Sequence, residues 1–179
     1  MSVAYLHASK FGNGAMVAAE FERLMALEGI RVEVRHIRDV EPHALMPADL
    51  YVFSSPGRVG KPIRRMRRFL ADLNLPAGTK YAVFTTEMAP RPDKKTGLMP
   101  SDEQRAQYQR VIPIMNELLQ RKGLTKVAEG NVFVTGMKGP LEGAWREKVE
   151  AFAVTLRAVD GVRGPLDATT DVTIARNES

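Results

Sequence analysis

The chain has 179 residues, 44% hydrophobic and 26% charged, which supplies one substantial apolar core and excludes a disordered chain. It has no cysteine, so disulfides, thiolate metal ligands, iron–sulfur ligation and thiol redox chemistry are excluded, and any redox role must rest on a bound cofactor. A formal net charge of +5 favours anionic partners.

No apolar run of about 18 residues is present, and the N-terminus has no basic, apolar, then small-residue signal pattern, so a cytoplasmic protein without membrane insertion is expected. His7, His36 and His43 lack HxH or HExxH spacing, and no metal site is expected among them.

In chain order, Ser2 to His7 reads as a buried strand. Ala15 to Glu28 reads as a helix with an apolar stripe of Val17, Phe21, Leu24 and Met25, stopped by Gly29. Arg31 to Ile37 alternates like a strand, and Leu50 to Ser54 is a short apolar strand. A glycine-containing loop then leads to a helix from about Pro62 to Leu73, with Pro62 suited to its first turn.

Tyr81 to Thr86 forms the next strand. A polar loop with Pro90, Pro92 and Gly97 reaches Ser101-Asp102-Glu103-Gln104, a capping box that opens one long helix. Val111, Met115, Leu118 and Leu119 supply its buried face, Pro113 should kink it, and Gly123 ends it. Strands around Lys126–Ala128 and Asn131–Thr135 precede a final helix in which Trp145, Val149, Phe152, Leu156 and Val159 keep helical spacing. One domain over residues 1–160 is therefore expected. The tail, 161–179, has only a weak apolar run at Val172-Thr173-Ile174 and reads as loosely packed or engaged by a neighbouring subunit, as in a homodimer.

Strands alternating with helices imply a mainly parallel sheet covered on both faces. In such a sheet ligands collect beyond the carboxyl ends of the strands. The connections leaving those ends are Ala8 to Gly14, Ser54 to Lys61 and Thr86 to Pro100.

In the first, Ser9 offers a hydroxyl, Gly12 and Gly14 permit close backbone approach, and Asn13 tolerates a left-handed conformation and suits a cap. The free N–H groups opening the next helix would favour a phosphate; a plain strand-to-helix turn is the alternative. The loop matches neither GxGxxG nor GxxxxGK[ST], and the nearest spacing lacks the lysine and hydroxyl of ATP chemistry, so hydrolysis of a nucleoside triphosphate has little support. The second connection, Ser54-Ser55-Pro56-Gly57-Arg58-Val59-Gly60-Lys61-Pro62, could lay backbone groups along a planar ring or be an ordinary loop. In the third, Thr85, Thr86 and Ala89 could line the opposite wall. Glu87 there could meet a sugar hydroxyl, pair with an arginine or cap an amide.

Arg58, Lys61, Arg64, Arg65, Arg67 and Arg68 form a run without an acidic residue. It suits a solvated helix face, an anionic protein or ligand, or nucleic acid. The last has no zinc-finger spacing or RNP-like aromatic run behind it. A hydrolase reading would use His7 at its strand end, or Glu87 with Asp93, but no serine–histidine–acid arrangement emerges from the spacing.

Together these segments resemble the flavodoxin-like family. The likeness is carried by Ala8-Ser9-Lys10-Phe11-Gly12-Asn13-Gly14 against an S/T-x-T-G-x-T phosphate loop, and by Ser54 to Gly60 against an S-P-x-Y/W-x-G loop. The strand ending at Thr86 and Gly139-Pro140-Leu141-Glu142-Gly143 extend it over roughly residues 2 to 160. The resemblance implies a doubly wound three-layer α/β sandwich, a five-stranded parallel sheet of order 2-1-3-4-5, and FMN as cofactor.

By that resemblance Ser9, Lys10, Phe11, Gly12, Asn13 and Gly14 hold the phosphate. Ser55, Pro56, Gly57, Arg58, Val59 and Gly60, with Thr86, Glu87, Met88 and Ala89, flank the isoalloxazine. The implied function is an FMN-binding redox protein passing electrons to an acidic protein partner or to a small acceptor such as a quinone. A binding or scaffold protein with a lost or repurposed flavin site is the alternative. Two departures stand out: Phe11 and Gly14 replace hydroxyl residues, and neither ring-flanking loop holds a tryptophan or tyrosine. Arg58 and Lys61 would favour an anionic reduced flavin and so raise its potential.

Overall fold

The computed structural model describes residues 2–159; the tail from 161 onward, with Val172 to Ile174, lies outside the described residues. Six strands and five helices follow one another as β1 (Ser2–His7), α1 (Asn13–Leu27), β2 (Arg31–His36), β3 (Leu50–Arg58), β4 (Lys61–Pro62), α2 (Arg64–Ala71), β5 (Lys80–Met88), α3 (Asp102–Tyr108), α4 (Val111–Gln120), β6 (Thr125–Val134) and α5 (Trp145–Arg157). The sheet order is β2-β1-β3-β5-β6, with β4 paired only to β3. All pairings along that path are parallel. Setting the two-residue β4 aside leaves five long strands in the expected 2-1-3-4-5 order.

The central strands are apolar on both faces because both are covered. Val3, Tyr5, Leu50, Val52 and Phe84 join α1 and α5 in one core, where Phe21 lies 5.2 Å from the Tyr5 ring and 5.8 Å from Phe152. Tyr51, Phe53, Tyr81 and Val83 join α2 and α4 in the other. Helices on both faces leave the carboxyl edge of the sheet free for loops, and there the chain departs most from the sequence expectations.

β3 does not stop at Ser54. It runs on to Arg58 and turns back, pairing Gly57 with Pro62 and Arg58 with Lys61 in an antiparallel hairpin. Val59 and Gly60 form its tip with φ of 51° and 68°, as a two-residue type I′ turn requires. Pro62 is therefore a strand residue rather than the first turn of a helix, and α2 starts after Ile63, whose ψ of 149° is extended. A proline fits this short edge strand because it needs no donor on its outer side.

The long helix expected after Ser101 is two helices. The capping box is present, with Ser101 Oγ accepting from Gln104 N–H and the Gln104 side chain accepting from Ser101 N–H, but α3 ends at Tyr108. Gln109 leaves helical geometry at ψ 79°, and the Arg110 N–H donates to the Gly60 carbonyl (2.8 Å). The hairpin tip thus fills the break. A Cβ on Gly60 would fall 1.5 Å from the Tyr108 carbonyl oxygen, so this approach requires glycine. Pro113 does not kink a helix; it sits in the first turn of α4, where its missing N–H has no helical acceptor to lose.

The two late strands expected around Lys126 and Asn131 are one, β6, continuous through Glu129 and Gly130. Gly130 passes under Phe84, where a Cβ would stand 2.9 Å from the ring. The last helix ends at Arg157, before Val159. No helix among the described residues is long and apolar enough to cross a membrane.

Candidate functional site

The turn after β1 is held by its own side chain: the Gly12 N–H donates to Ser9 Oγ (3.1 Å). Gly12 takes φ 88°, so the left-handed residue of this loop is the glycine and not Asn13. Asn13 is already the first residue of α1, and it does not cap the helix. Its Nδ2 donates instead to the Lys138 carbonyl (3.1 Å), tying the loop before α5 to the start of α1.

No side chain caps α1, and its first turn holds no acidic residue. The Met16 N–H donates to the Gly12 carbonyl (2.9 Å), so the N–H groups of Asn13, Gly14 and Ala15 precede the first helical bond and have no helical acceptor. Gly14 is buried, and a Cβ there would stand 3.3 Å from that of Ser9. Aligned backbone donors at an uncapped helix start form a cradle for an anion.

Beside this cradle opens a cavity of about 620 Å³. Ser9, Lys10, Phe11, Asn13 and Gly14 line it from the first connection, Pro56, Gly57, Arg58 and Val59 from the hairpin, and Thr86 and Met88 from the end of β5. All three connections singled out by sequence thus meet in one place. Ile63, Val134 and Met137 complete the lining and were not anticipated. Val134 follows from β6 being one strand, whereas Met137, 81% exposed, lies in a loop without a sequence signal for this role.

Five expected site residues do not line the cavity. Gly12 shapes the cradle from outside it, and Gly60 is committed to the α3–α4 break. Ser55 is buried, with its hydroxyl donating to the Pro56 carbonyl (3.0 Å). Ala89 lies past the end of β5, where its N–H donates to the Val134 carbonyl (2.9 Å). Glu87 is excluded by strand alternation: Thr86 and Met88 face the cavity, so Thr85 and Glu87 face the α4 side.

There Glu87 is 6% exposed, and its Oε1 accepts from Thr85 Oγ1 (2.7 Å). Burial raises the Glu87 carboxyl above its ordinary value, and the Thr85 bond only partly opposes this. The side chain borders a second hollow of about 880 Å³ between α4 and the outer face of β6. Asn116 in that hollow is bonded at both ends: its Oδ1 accepts from the Tyr81 OH (3.2 Å), and its Nδ2 donates to Glu129 Oε2 (2.8 Å). Asp93 is in different surroundings, accepting from the Lys95 and Thr96 N–H groups within its own turn (2.9 and 2.8 Å). The two carboxylates therefore do not form a hydrolytic pair.

His7 is 7% exposed, outside the cavity lining and edge-on to His36 at 5.0 Å. Burial lowers its pKa, the neighbouring His36 adds to this, and Asp39 opposes it. His36 Nδ1 accepts from the Arg38 N–H (3.0 Å), which leaves Nε2 as the protonated nitrogen donating to the Ser9 carbonyl (3.2 Å). His36 thus secures the back of the cradle.

No family model matches the sequence, and no curated protein is significantly similar to it. Solved structures do match. Oxidised flavodoxin 1 from Bacillus cereus superimposes with a TM-score of 0.64 at 20% identity, over 87% of this chain and 96% of that one. The flavodoxin of Streptococcus pneumoniae TIGR4 gives 0.61 at 23% identity, over 88% and 99%. Rubredoxin oxygen:oxidoreductase from Desulfovibrio gigas gives 0.59 at 15% identity, with 86% of this chain matching 34% of that one. The chain therefore has the flavodoxin fold.

Proposed function

We propose that the cavity binds FMN and that the protein passes electrons from it to an acidic protein partner or to a small acceptor such as a quinone. The observation that carries this reading is the uncapped start of α1, with N–H groups of Asn13, Gly14 and Ala15 free of helical acceptors, at the wall of a cavity of about 620 Å³. An anion and a flat apolar body are the two parts such a site accommodates.

The residues present fit FMN. Backbone donors of the first turn of α1 and the Ser9 hydroxyl would hold the phosphate, so the absent hydroxyls at Phe11 and Gly14 are not essential to it. Pro56, Gly57 and Val59 from the hairpin, with Met88 and Val134, would supply apolar surface for the ring. Phe11, 47% exposed, is the aromatic side chain of this lining, although it comes from the phosphate loop rather than a ring-flanking one. When bound, FMN would supply the one- and two-electron chemistry that a cysteine-free chain lacks.

Lys10 and Arg58 are the charged residues of the lining, and no carboxylate accompanies them. Positive charge there favours the reduced anionic form and raises the potential. Arg58, Lys61, Arg64, Arg65, Arg67 and Arg68 take part in none of the ion pairs of the described residues. Such cations, of which Arg58 lines the cavity and the others follow it on the hairpin and α2, favour an acidic partner.

An absorbance spectrum of freshly purified protein, with and without added FMN, tests the reading. We expect flavin bands that co-purify or that saturate at micromolar FMN. A colourless protein that leaves added FMN free would overturn it and favour a flavodoxin-fold binding protein instead.

A further inference from the structure

A smaller hollow of about 250 Å³ lies against the first connection. Its walls include Ser9, Lys10, His36, Arg38, Ile63 and Arg65. Three basic residues therefore border it from three separate parts of the chain: the loop after β1, the turn after β2 and the first turn of α2; the Lys10 ammonium lies over the Phe11 ring of the larger cavity, 5.2 Å from its centre. None of the three is in an ion pair of the described residues. Asp39 lies on the same turn as Arg38 but is not part of the lining.

His36 adds a further constraint. Its two nitrogens are committed to the Arg38 N–H and the Ser9 carbonyl, so it fixes Arg38 and the loop relative to each other. The hollow adjoins the larger cavity, because Ser9, Lys10 and Ile63 line both. A surface run of arginines on a solvated helix face would not need such a concave meeting point, nor a wall shared with another cavity.

We propose that this hollow is a second phosphate site, and that it takes a phosphate ester of a nucleotide whose other end reaches the larger cavity or stacks beside its occupant. The proposal rests on the flavin reading only in taking that cavity as the flavin site. Arg38 and Arg65 present planar donor pairs and Lys10 a point charge, a combination suited to the anionic oxygens of a phosphate ester. Two sources share this chemistry: the second phosphate of a flavin dinucleotide, or a phosphate on a separate nucleotide that delivers electrons.

The test uses the full-length chain and Arg38→Gln/Arg65→Gln, both exposed positions whose replacement leaves the core intact. Inorganic phosphate is added at constant ionic strength, to flavin-free and to FMN-loaded protein, and the melting temperature is read. Phosphate should stabilise the wild type in both states and the double variant less, by a loss of about tenfold in apparent affinity, while the FMN affinity stays unchanged. Should FMN fail to bind, the difference between wild type and variant in flavin-free protein still reports on the second site.

FAD binding about tenfold tighter than FMN in the wild type, with the preference lost in the variant, would assign the phosphate to the flavin itself. Equal flavin affinities, with adenosine 2′,5′-bisphosphate binding FMN-loaded wild type and not the variant, would assign it to a separate nucleotide. Equal phosphate responses in wild type and variant, or no preference in either nucleotide arm of a protein that does bind flavin, would overturn the proposal.

Discussion

At the scale of single residues, Val59 is the position most at odds with local preference. A β-branched residue at φ 51° is strained, and its side chain is 91% exposed, so no burial offsets the strain. Asn-Gly is the preferred pair for a type I′ turn, so Val59→Asn should stabilise the chain by about 1 kcal/mol, a rise of about 2–4 °C in melting temperature. Because Val59 lines the cavity, the same variant should bind FMN more weakly; a variant both less stable and unchanged in binding would contradict the assignment. Glu87 gives a second residue-scale expectation. Its folded-state pKa lies above the ordinary 4.5, so its contribution is fully present below that value and is lost as the pH rises through the folded pKa. Glu87→Gln keeps a partner for Thr85 and removes the titration. The stability of the variant relative to wild type should therefore increase from pH 4 towards neutrality, at about the point where carboxylates ionise. A difference independent of pH would show that the buried carboxyl is not the cause.

At the scale of elements, alternating apolar strands and amphipathic helices carry enough information to identify the sheet order. What they do not reveal is decided by contacts between distant segments. The α3–α4 break forms because the tip of the β3–β4 hairpin, from a much earlier part of the chain, docks against Arg110. Neither partner is legible from the other's local sequence, and a helix pattern continued through Gln109 because periodicity alone does not register a carbonyl arriving from Gly60. The same limit governs the site. The three connections are recognisable because they follow strands, yet β5 runs two residues beyond the expected end at Thr86, so Glu87 is a strand residue whose facing is fixed by alternation and not a loop residue free to turn to the site. Pro113 allows a decisive check. As a first-turn residue of α4 it loses no helical bond, so Pro113→Ala should change stability by no more than about 1 kcal/mol, in the destabilising direction as the unfolded chain gains freedom. A gain of about 3 kcal/mol on chemical denaturation would instead mark it as a helix-interior proline.

At the scale of the whole molecule, the excess positive charge is arranged at a cost to stability. α2 opens with Arg64 and Arg65 at the positive end of its dipole, has no acidic residue in that turn, and sets Arg64 one turn before Arg68. Cations at a helix N-terminus and like charges four residues apart are each unfavourable by a few tenths of a kcal/mol up to about 1 kcal/mol. Met66, Phe69 and Leu70 hold the helix down by burying its apolar face, so the fold tolerates the charge without needing it. Arg64→Glu should therefore stabilise the protein: it places an acid at the helix start and a favourable partner for Arg68. We expect a gain of about 0.5–1.5 kcal/mol at 10 mM salt, shrinking at about 0.5 M as exposed charges are screened. Thermal melts of both proteins at the two salt concentrations check this. A gain that persists at high salt would point to packing rather than charge, and no gain at low salt would mean that the arginine run is not self-repelling. If the gain appears and vanishes as expected, α2 keeps arginines where acids would be more stable, which is the arrangement an anionic partner at this edge of the sheet would use.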